Sequence, residues 1–272
     1  MRQVLPVFAS LALAAAALPA QATITVLNQW HMGEADAGAS AGGAGAVATV
    51  DSVGGFNLNK VGAPTYASDV PPRIGSTLSL AFNGTTDEYN NTTAVASALT
   101  DNFGIEAWVK SNGSTTGNAT IAYNGNTSSA GWGIYRLGAN YGVLYGGNLG
   151  AGVSPISTAW TELALVRDNG TTTFYVNGVA SYTTTVGPNP PAGGTGIGGN
   201  PLLSGFELFD GKIDEVRIFS FVPGAFSAGD LNLPPPVPTP MLSLRALGLL
   251  GLGMLGLAWL GLRRRKANTI SV

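Results

Sequence analysis

His31 is the only histidine in the 272 residues, and the chain has no cysteine. Zinc sites draw on Cys and His, so a zinc centre is not expected. A Ser-His-Asp triad would have to use His31, and the one G-x-S-x-G match, Gly38-Ala-Ser-Ala-Gly42, lies in an Ala/Gly-rich loop and not on the strand-to-helix turn that raises a nucleophilic serine. His31 reads instead as a strand residue beside Trp30. What remains for chemistry is oxygen and aromatic surface. Carboxylates and backbone carbonyls suit a hard cation such as calcium. Gly131-Trp-Gly-Ile-Tyr135 and Tyr141-Gly-Val-Leu-Tyr145 interleave aromatic rings with glycine. Exposed rings stack on sugars, and a neighbouring glycine lets a ligand approach the backbone. Tyr141, Val143 and Tyr145 share one face of a strand, so the two tyrosines stand together as a ligand patch, with Trp132 beside them. The competing reading is core, because a two-sheet protein must fill two inner faces. That reading applies to Trp108, Trp132 and Trp160.

Charge narrows the partners. All fifteen acidic residues lie between Glu34 and Asp230, against seven basic residues in the same span, a net −8. An acidic body argues against nucleic acid. It is compatible with cations, neutral sugars or other proteins. With no cysteine, no disulfide supports the fold.

The elements that must position these residues are strands. Trp160-Thr-Glu-Leu-Ala-Leu-Val-Arg-Asp168, Thr172-Thr-Phe-Tyr-Val-Asn-Gly178 and Phe209-Asp-Gly-Lys-Ile-Asp-Glu-Val-Arg-Ile-Phe219 repeat apolar residues at every second position. Asn169-Gly170 and Asn177-Gly178 flank the middle run and supply the positive φ of tight hairpins. Phe103, Ile105, Ala107 and Val109 alternate with Glu106, Trp108 and Lys110. Further strands are expected at 23–30, 78–82, 119–123, 133–137 and 142–145, while the Ala/Gly-rich residues 33–55 read as a long loop. Many short strands, five Asn-Gly pairs and no amphipathic helix predict an all-β fold: a two-sheet antiparallel sandwich over residues 23–233.

Five ordered motifs in that span resemble the laminin-G-like, or concanavalin A-like, jelly-roll family. They are Leu27-Asn-Gln-Trp-His-Met-Gly-Glu34, Asp51-Ser-Val-Gly54, Leu78-Ser-Leu-Ala-Phe-Asn-Gly84, Phe103-Gly-Ile-Glu-Ala-Trp-Val-Lys110, and the 160–219 stretch that ends Ile213-Asp-Glu-Val-Arg-Ile218. Glu162 stands where many members have His. The resemblance implies a jelly roll, and it implies a metal. Asp214 matches the Asp of the family's last strand, which in the β-glucanase relatives resembles a structural calcium ligand. Asp51 and Asp36 are further candidates, although either can simply cap a turn. The alternative for Asp214 is an exposed acid paired with Arg217 or Lys212. The sugar-cleaving relatives carry E-x-D-x-x-E on one strand. The nearest match here is Glu34-Ala-Asp36, and Ala39 stands in place of the third acid, so no catalysis is expected.

The two ends carry an address. Arg2, the apolar Val4–Leu18 and Ala20-Gln21-Ala22 make residues 1–22 a signal peptide. Residues 234–245 are a stiff, proline-rich spacer. Residues 246–262 are apolar and, at about 25 Å as a helix, sit at the short end of a membrane span. Residues 263–272 are a basic tail whose Arg263-Arg264-Arg265-Lys266 stays cytoplasmic by the positive-inside rule. The segment around Pro238, the apolar run and Arg263, Arg264 and Arg265 together resemble the PEP-CTERM and IPTL-CTERM sorting tails. That resemblance implies an exosortase-type partner and release to the cell surface of a Gram-negative bacterium. A plain single-span anchor is the other reading. Three function classes follow: a surface module binding carbohydrate or extracellular protein, a structural matrix component without a discrete ligand, and a glycan-active enzyme. The first is the expectation adopted here.

Overall fold

The structure is a computed structural model that describes residues 24–73 and 75–233. The leader, the spacer with Pro238, the apolar run and the Arg263–Arg265 cluster lie outside the described residues. Among the described residues no helix is long and apolar enough to cross a membrane.

The chain builds β1 (Thr25–Trp30), β2 (Ala48–Thr49), β3 (Leu58–Val61), β4 (Thr65–Ala67), β5 (Ser79–Asn83), β6 (Glu88–Asn91), β7 (Phe103–Ser111), β8 (Asn118–Asn126), β9 (Ala130–Leu137) and β10 (Asn140–Tyr145). It continues with β11 (Leu149–Pro155), β12 (Thr161–Asp168), β13 (Thr171–Val176), β14 (Val179–Thr184), β15 (Gly194–Ile197) and β16 (Asp210–Ser220). One sheet runs β14-β13-β12-β7-β16-β5-β4, and β1 pairs with the far half of β16 beyond β5. The other runs β11-β10-β9-β8-β15-β6-β3-β2. Each observed pairing is antiparallel, and the two inner faces meet in one core.

Local sequence explains the hairpins. Asn169 and Gly170 have φ of 47° and 75°, and Asn177 and Gly178 have 51° and 74°. Two successive positive φ angles define the two-residue turn whose twist matches that of paired strands. These turns join β12 to β13 and β13 to β14 in the register that puts Leu163, Leu165 and Phe174 into the core.

The expected alternation in β7 holds in part. Phe103, Ile105, Ala107 and Val109 face the core, but Glu106 and Trp108 on the opposite face are buried as well. The cover is the segment after β16. Phe226, Leu231 and Leu233 pack against Ala164, Val166 and Phe219 on the outer side of the first sheet. Trp108 Nε1 donates to the Asn232 carbonyl at 2.9 Å, and the Asn232 amide donates to Glu106 Oε2 at 3.3 Å. Residues 226–233 thus form a strap that closes the sheet's outer face. Trp160 departs from its expected core place: it is half-buried, and its Nε1 donates to Asp69, which also binds Lys110 and Lys212.

If the strap closes the sheet, Leu231→Ala should destabilise the domain by about 2 kcal/mol, at the low end for a buried leucine because a terminal segment can relax. For a domain of this size that lowers the thermal midpoint by roughly 4–8 °C. An unchanged melting curve would show that residues beyond the last strand add nothing to the fold.

Candidate functional site

Strand β16 carries an irregularity that its sequence announces. Ile213 faces the core, and strict alternation would send Glu215 there next. Instead Val216 and Ile218 face the core. The register against β7 shifts between Asp214, opposite Trp108, and Arg217, opposite Glu106. Glu215 takes up the extra residue with φ of 51°. This is a β-bulge, and it turns both Asp214 and Glu215 away from the core.

Three carboxylates meet there. One oxygen each from Glu34, Asp214 and Glu215 lies within 4.8 Å of the others. Asp214 is fully buried. Its Oδ2 accepts from the Ser76 hydroxyl, and its Oδ1 from the Glu215 amide at 2.8 Å. Burial pushes its carboxyl well above the usual carboxylate range, and the charges of Glu215 and Glu34 push it further, against the Ser76 hydrogen bond. Glu215 is answered by Arg73 at 2.6 Å, by His31 Nδ1 at 3.0 Å and by Gln29 Nε2 at 3.1 Å. The hydrogen bond to Glu215 raises the His31 pKa, outweighing its partial burial. Glu34 Oε1 accepts from the Thr77 and Leu78 amides. The donors are therefore carboxylate and hydroxyl oxygens, with Asp214 buried beside two like charges. That set fits calcium, which takes oxygen ligands, far better than it fits zinc.

The exposed-acid reading of Asp214 is corrected. Neither proposed partner reaches it: Arg217 binds Glu106, and Lys212 binds Asp69. Of the two readings of Asp51, metal ligand and turn cap, the structure shows the turn cap. Its two oxygens accept from the Asn28 amide and from the backbone N–H groups of Gln29, Val53, Gly54 and Phe56. Burial alone would raise its pKa, but these donors together hold it below its ordinary value. Asp51 organises the turn after β2, and its lone pairs are occupied. Asp36 is also taken, by the Val50 amide and the Tyr66 hydroxyl.

The aromatic candidates are displaced as well. Trp132, Tyr141 and Tyr145 are fully buried and point into the core. Trp132 stacks on Phe103 with ring centroids 4.4 Å apart and donates to the Leu99 carbonyl. Tyr145 shares a hydrogen bond with Thr172 at 2.6 Å. The tyrosines do share a face, as the alternation requires, but it is the inner one, and none of the three rings offers a stacking surface. Sequence reasoning missed Glu34 and Glu215 as companions of Asp214. The odd spacing from Ile213 to Val216 was the available signal for Glu215.

A second acidic layer lies under the strap. Glu106 binds Arg217, whose guanidinium also reaches the Asp230 carbonyl and sits 5.1 Å from the Phe219 ring centre. Glu162, on the neighbouring β12, is fully buried; its Oε2 accepts from the Gly178 amide at 3.0 Å. Burial and then the Glu106 charge push its carboxyl up to about 8.

This architecture, two antiparallel sheets face to face with a metal-fitting acid trio at the bulge of a central strand, defines a jelly roll of the lectin and glucanase type. The chain belongs to the Laminin_G_3 family, described as the concanavalin A-like lectin/glucanases superfamily, whose model matches residues 83–226. Among solved structures it is similar to domain 4 of AbnA, a GH43 extracellular arabinanase from Geobacillus stearothermophilus in complex with arabinotriose. Identity is 19%, covering 77% of this chain and 98% of that one, with a TM-score of 0.55. It is similar to a Trypanosoma rangeli sialidase in complex with sialic acid, at 16% identity, covering 80% of this chain and 34% of that one, with a TM-score of 0.52. It is also similar to the botulinum neurotoxin serotype D binding domain, at 16% identity, covering 76% of this chain and 50% of that one, with a TM-score of 0.50. The chain thus spans half or less of the latter two, and these likenesses show the fold alone. A comparison with curated protein sequences finds no match.

Glu162 yields a prediction about pH. Its proton is held more tightly in the folded than in the unfolded chain. Stability present at acid pH is therefore lost as pH rises from the ordinary 4.5 to about 8. Glu88, pushed up to about 7 by burial, acts in the same direction. Glu162→Gln keeps the shape and removes the charge, so the variant should melt higher than the parent at pH 8 and its midpoint should fall less between pH 5 and 8. Parallel pH profiles for the two proteins would show that Glu162 is not a buried, proton-holding acid.

Proposed function

We propose that the chain is an exported binding module of the cell surface or extracellular matrix, that it recognises carbohydrate, and that it does no catalysis. The observation that carries this reading is the family fold together with the use made of the acids. Glu34 and Asp36, the nearest approach to a catalytic set, are spent on the Thr77, Leu78 and Val50 amides and the Tyr66 hydroxyl. A retaining or inverting glycosidase needs two carboxyls facing one open cleft. Glu106 and Glu162 are covered by the strap and bind Arg217, Asn232 and Gly178. The complexes of the solved neighbours with arabinotriose and sialic acid support sugar as the ligand class.

The Glu34, Asp214 and Glu215 trio supports a structural calcium ion. Its role would be to neutralise buried charge where β16 bulges and to tie the segments around Glu34 and Ser76 to the last strand. No step at a ligand depends on it. The leader at 1–22, the apolar run at 246–262 and the Arg263–Lys266 cluster support export, membrane attachment and an exosortase-type sorting partner. An extracellular protein is the second ligand class that the acidic body allows.

One preparation tests both halves of the reading. The full chain should be found on the outer side of the cell envelope, and replacing Arg263–Lys266 with serine should release or mislocalise it. The same protein should be retained by at least one polysaccharide in a glycan and matrix-polymer array, without cleaving it. Cytoplasmic protein, or cleavage of a glycan, would overturn the reading.

A further inference from the structure

The loop between β15 and β16, residues 198–209, crosses the outer face of the second sheet in its middle part and returns to the core at Phe209. Thr120 and Tyr135 are cross-strand partners on β8 and β9, and neither belongs to the core. The Thr120 amide donates to the Glu207 carbonyl at 2.7 Å, and its hydroxyl reaches the Glu207 carboxylate. Pro201 presses on β15 so closely that a Cβ on Gly194 or Gly196 would meet it at 2.6 or 3.1 Å.

Within this loop the backbone is fixed by one side chain. Buried Asn200 accepts from the Leu202 and Leu203 amides at 2.9 and 3.1 Å, and it donates to Thr127 and Glu207, each at 2.9 Å. The Asn200 amide closes the loop onto the Phe206 carbonyl at 3.0 Å. The loop holds three large apolar side chains in water: Leu202 is 38% exposed, Leu203 55% and Phe206 61%. Phe206 is the one aromatic residue in the exposed class among the described residues. The other large exposed apolar residues are valines on separate segments, which need no special account.

We propose that Leu202, Leu203 and Phe206 form the platform on which this module grips a neutral polysaccharide. The inference rests on the carbohydrate reading above and gives it a place. An aromatic side chain on a backbone already held by Asn200 loses little conformational freedom on binding, which favours affinity. The acidic body disfavours an anionic lipid surface, and the loop itself carries no basic residue. Three side chains fall far short of the roughly 800 Å² per partner that a stable dimer buries, which disfavours a second copy. A sugar ring offers an apolar face of matching size and needs no charge.

The test uses the full chain in mild detergent, with arabinan, xylan and mixed-linkage β-glucan as probes in retardation gels. Phe206→Ala should weaken retention about tenfold or more, as truncating an aromatic anchor does. Leu203→Ser should weaken it less, and Val47→Ser, at an exposed valine elsewhere, should change nothing. Thermal midpoints of all three should match the parent. Retention of the parent that survives Phe206→Ala would overturn the platform while leaving the carbohydrate reading intact. A parent retained by none of the probes would overturn both. Self-association that depends on Phe206, without retention, would replace the sugar with a second copy.

Discussion

The bulge in β16 is the constraint on which the rest of the first sheet depends. The strand has to pass through the centre of that sheet, pairing with β7 on one side and with β5 and then β1 on the other. Its sequence puts two acids between core residues three apart, Ile213 and Val216. A regular strand would bury one of them among Trp30, Ile105 and Leu163. An unpaired charge in such a place costs far more than a local break in the ladder. The extra residue resolves the conflict: Ile213, Val216 and Ile218 all reach the core, and Asp214 and Glu215 turn out. Arg217 is then brought opposite Glu106, where the two form a buried ion pair.

The same device creates the electrostatic problem that shapes the candidate site. Asp214 leaves the core but not the protein, and it meets Glu34 and Glu215. Arg73, His31 and Gln29 gather on Glu215. Asp214 is left with a hydroxyl and one amide, and burial drives its carboxyl toward the protonated form. A cation held by oxygen ligands relieves that arrangement directly. Under the strap, burial again raises the carboxyls of Glu106 and Glu162, but there Arg217 and the Asn232 amide answer Glu106, and the Gly178 amide answers Glu162. Two acidic layers on one sheet thus differ: the layer under the strap has its answering donors within the chain, and Asp214 has only a hydroxyl and one amide.

How much of this was legible in the residues follows from range. The hairpins at Asn169-Gly170 and Asn177-Gly178 are local, and the sequence alone places them. Alternation in β7, β9 and β10 correctly groups side chains by face, but it does not say which face is inside. For that reason Tyr141 and Tyr145 pass from ligand candidates to core. Asp51 is decided by donors from Asn28 and Gln29, more than twenty residues away in sequence, which no spacing rule reveals. Asp214 was singled out by resemblance, while Glu34 reaches it only through the fold. Leu202, Leu203 and Phe206 sit in a loop rich in Gly and Pro, where apolar residues without period carry no strand signal. Only their exposure gives them meaning.

The most direct test of the account is a calorimetric titration of calcium into chelator-treated protein. It should report a single saturable site of one ion per chain. Asp214→Asn, which removes a charged oxygen and keeps the shape, should abolish that site while the circular-dichroism spectrum stays that of a β protein. No heat of binding from a folded parent chain, or equal binding by the Asp214→Asn variant, would contradict the claim that the acids gathered at the β16 bulge hold a cation.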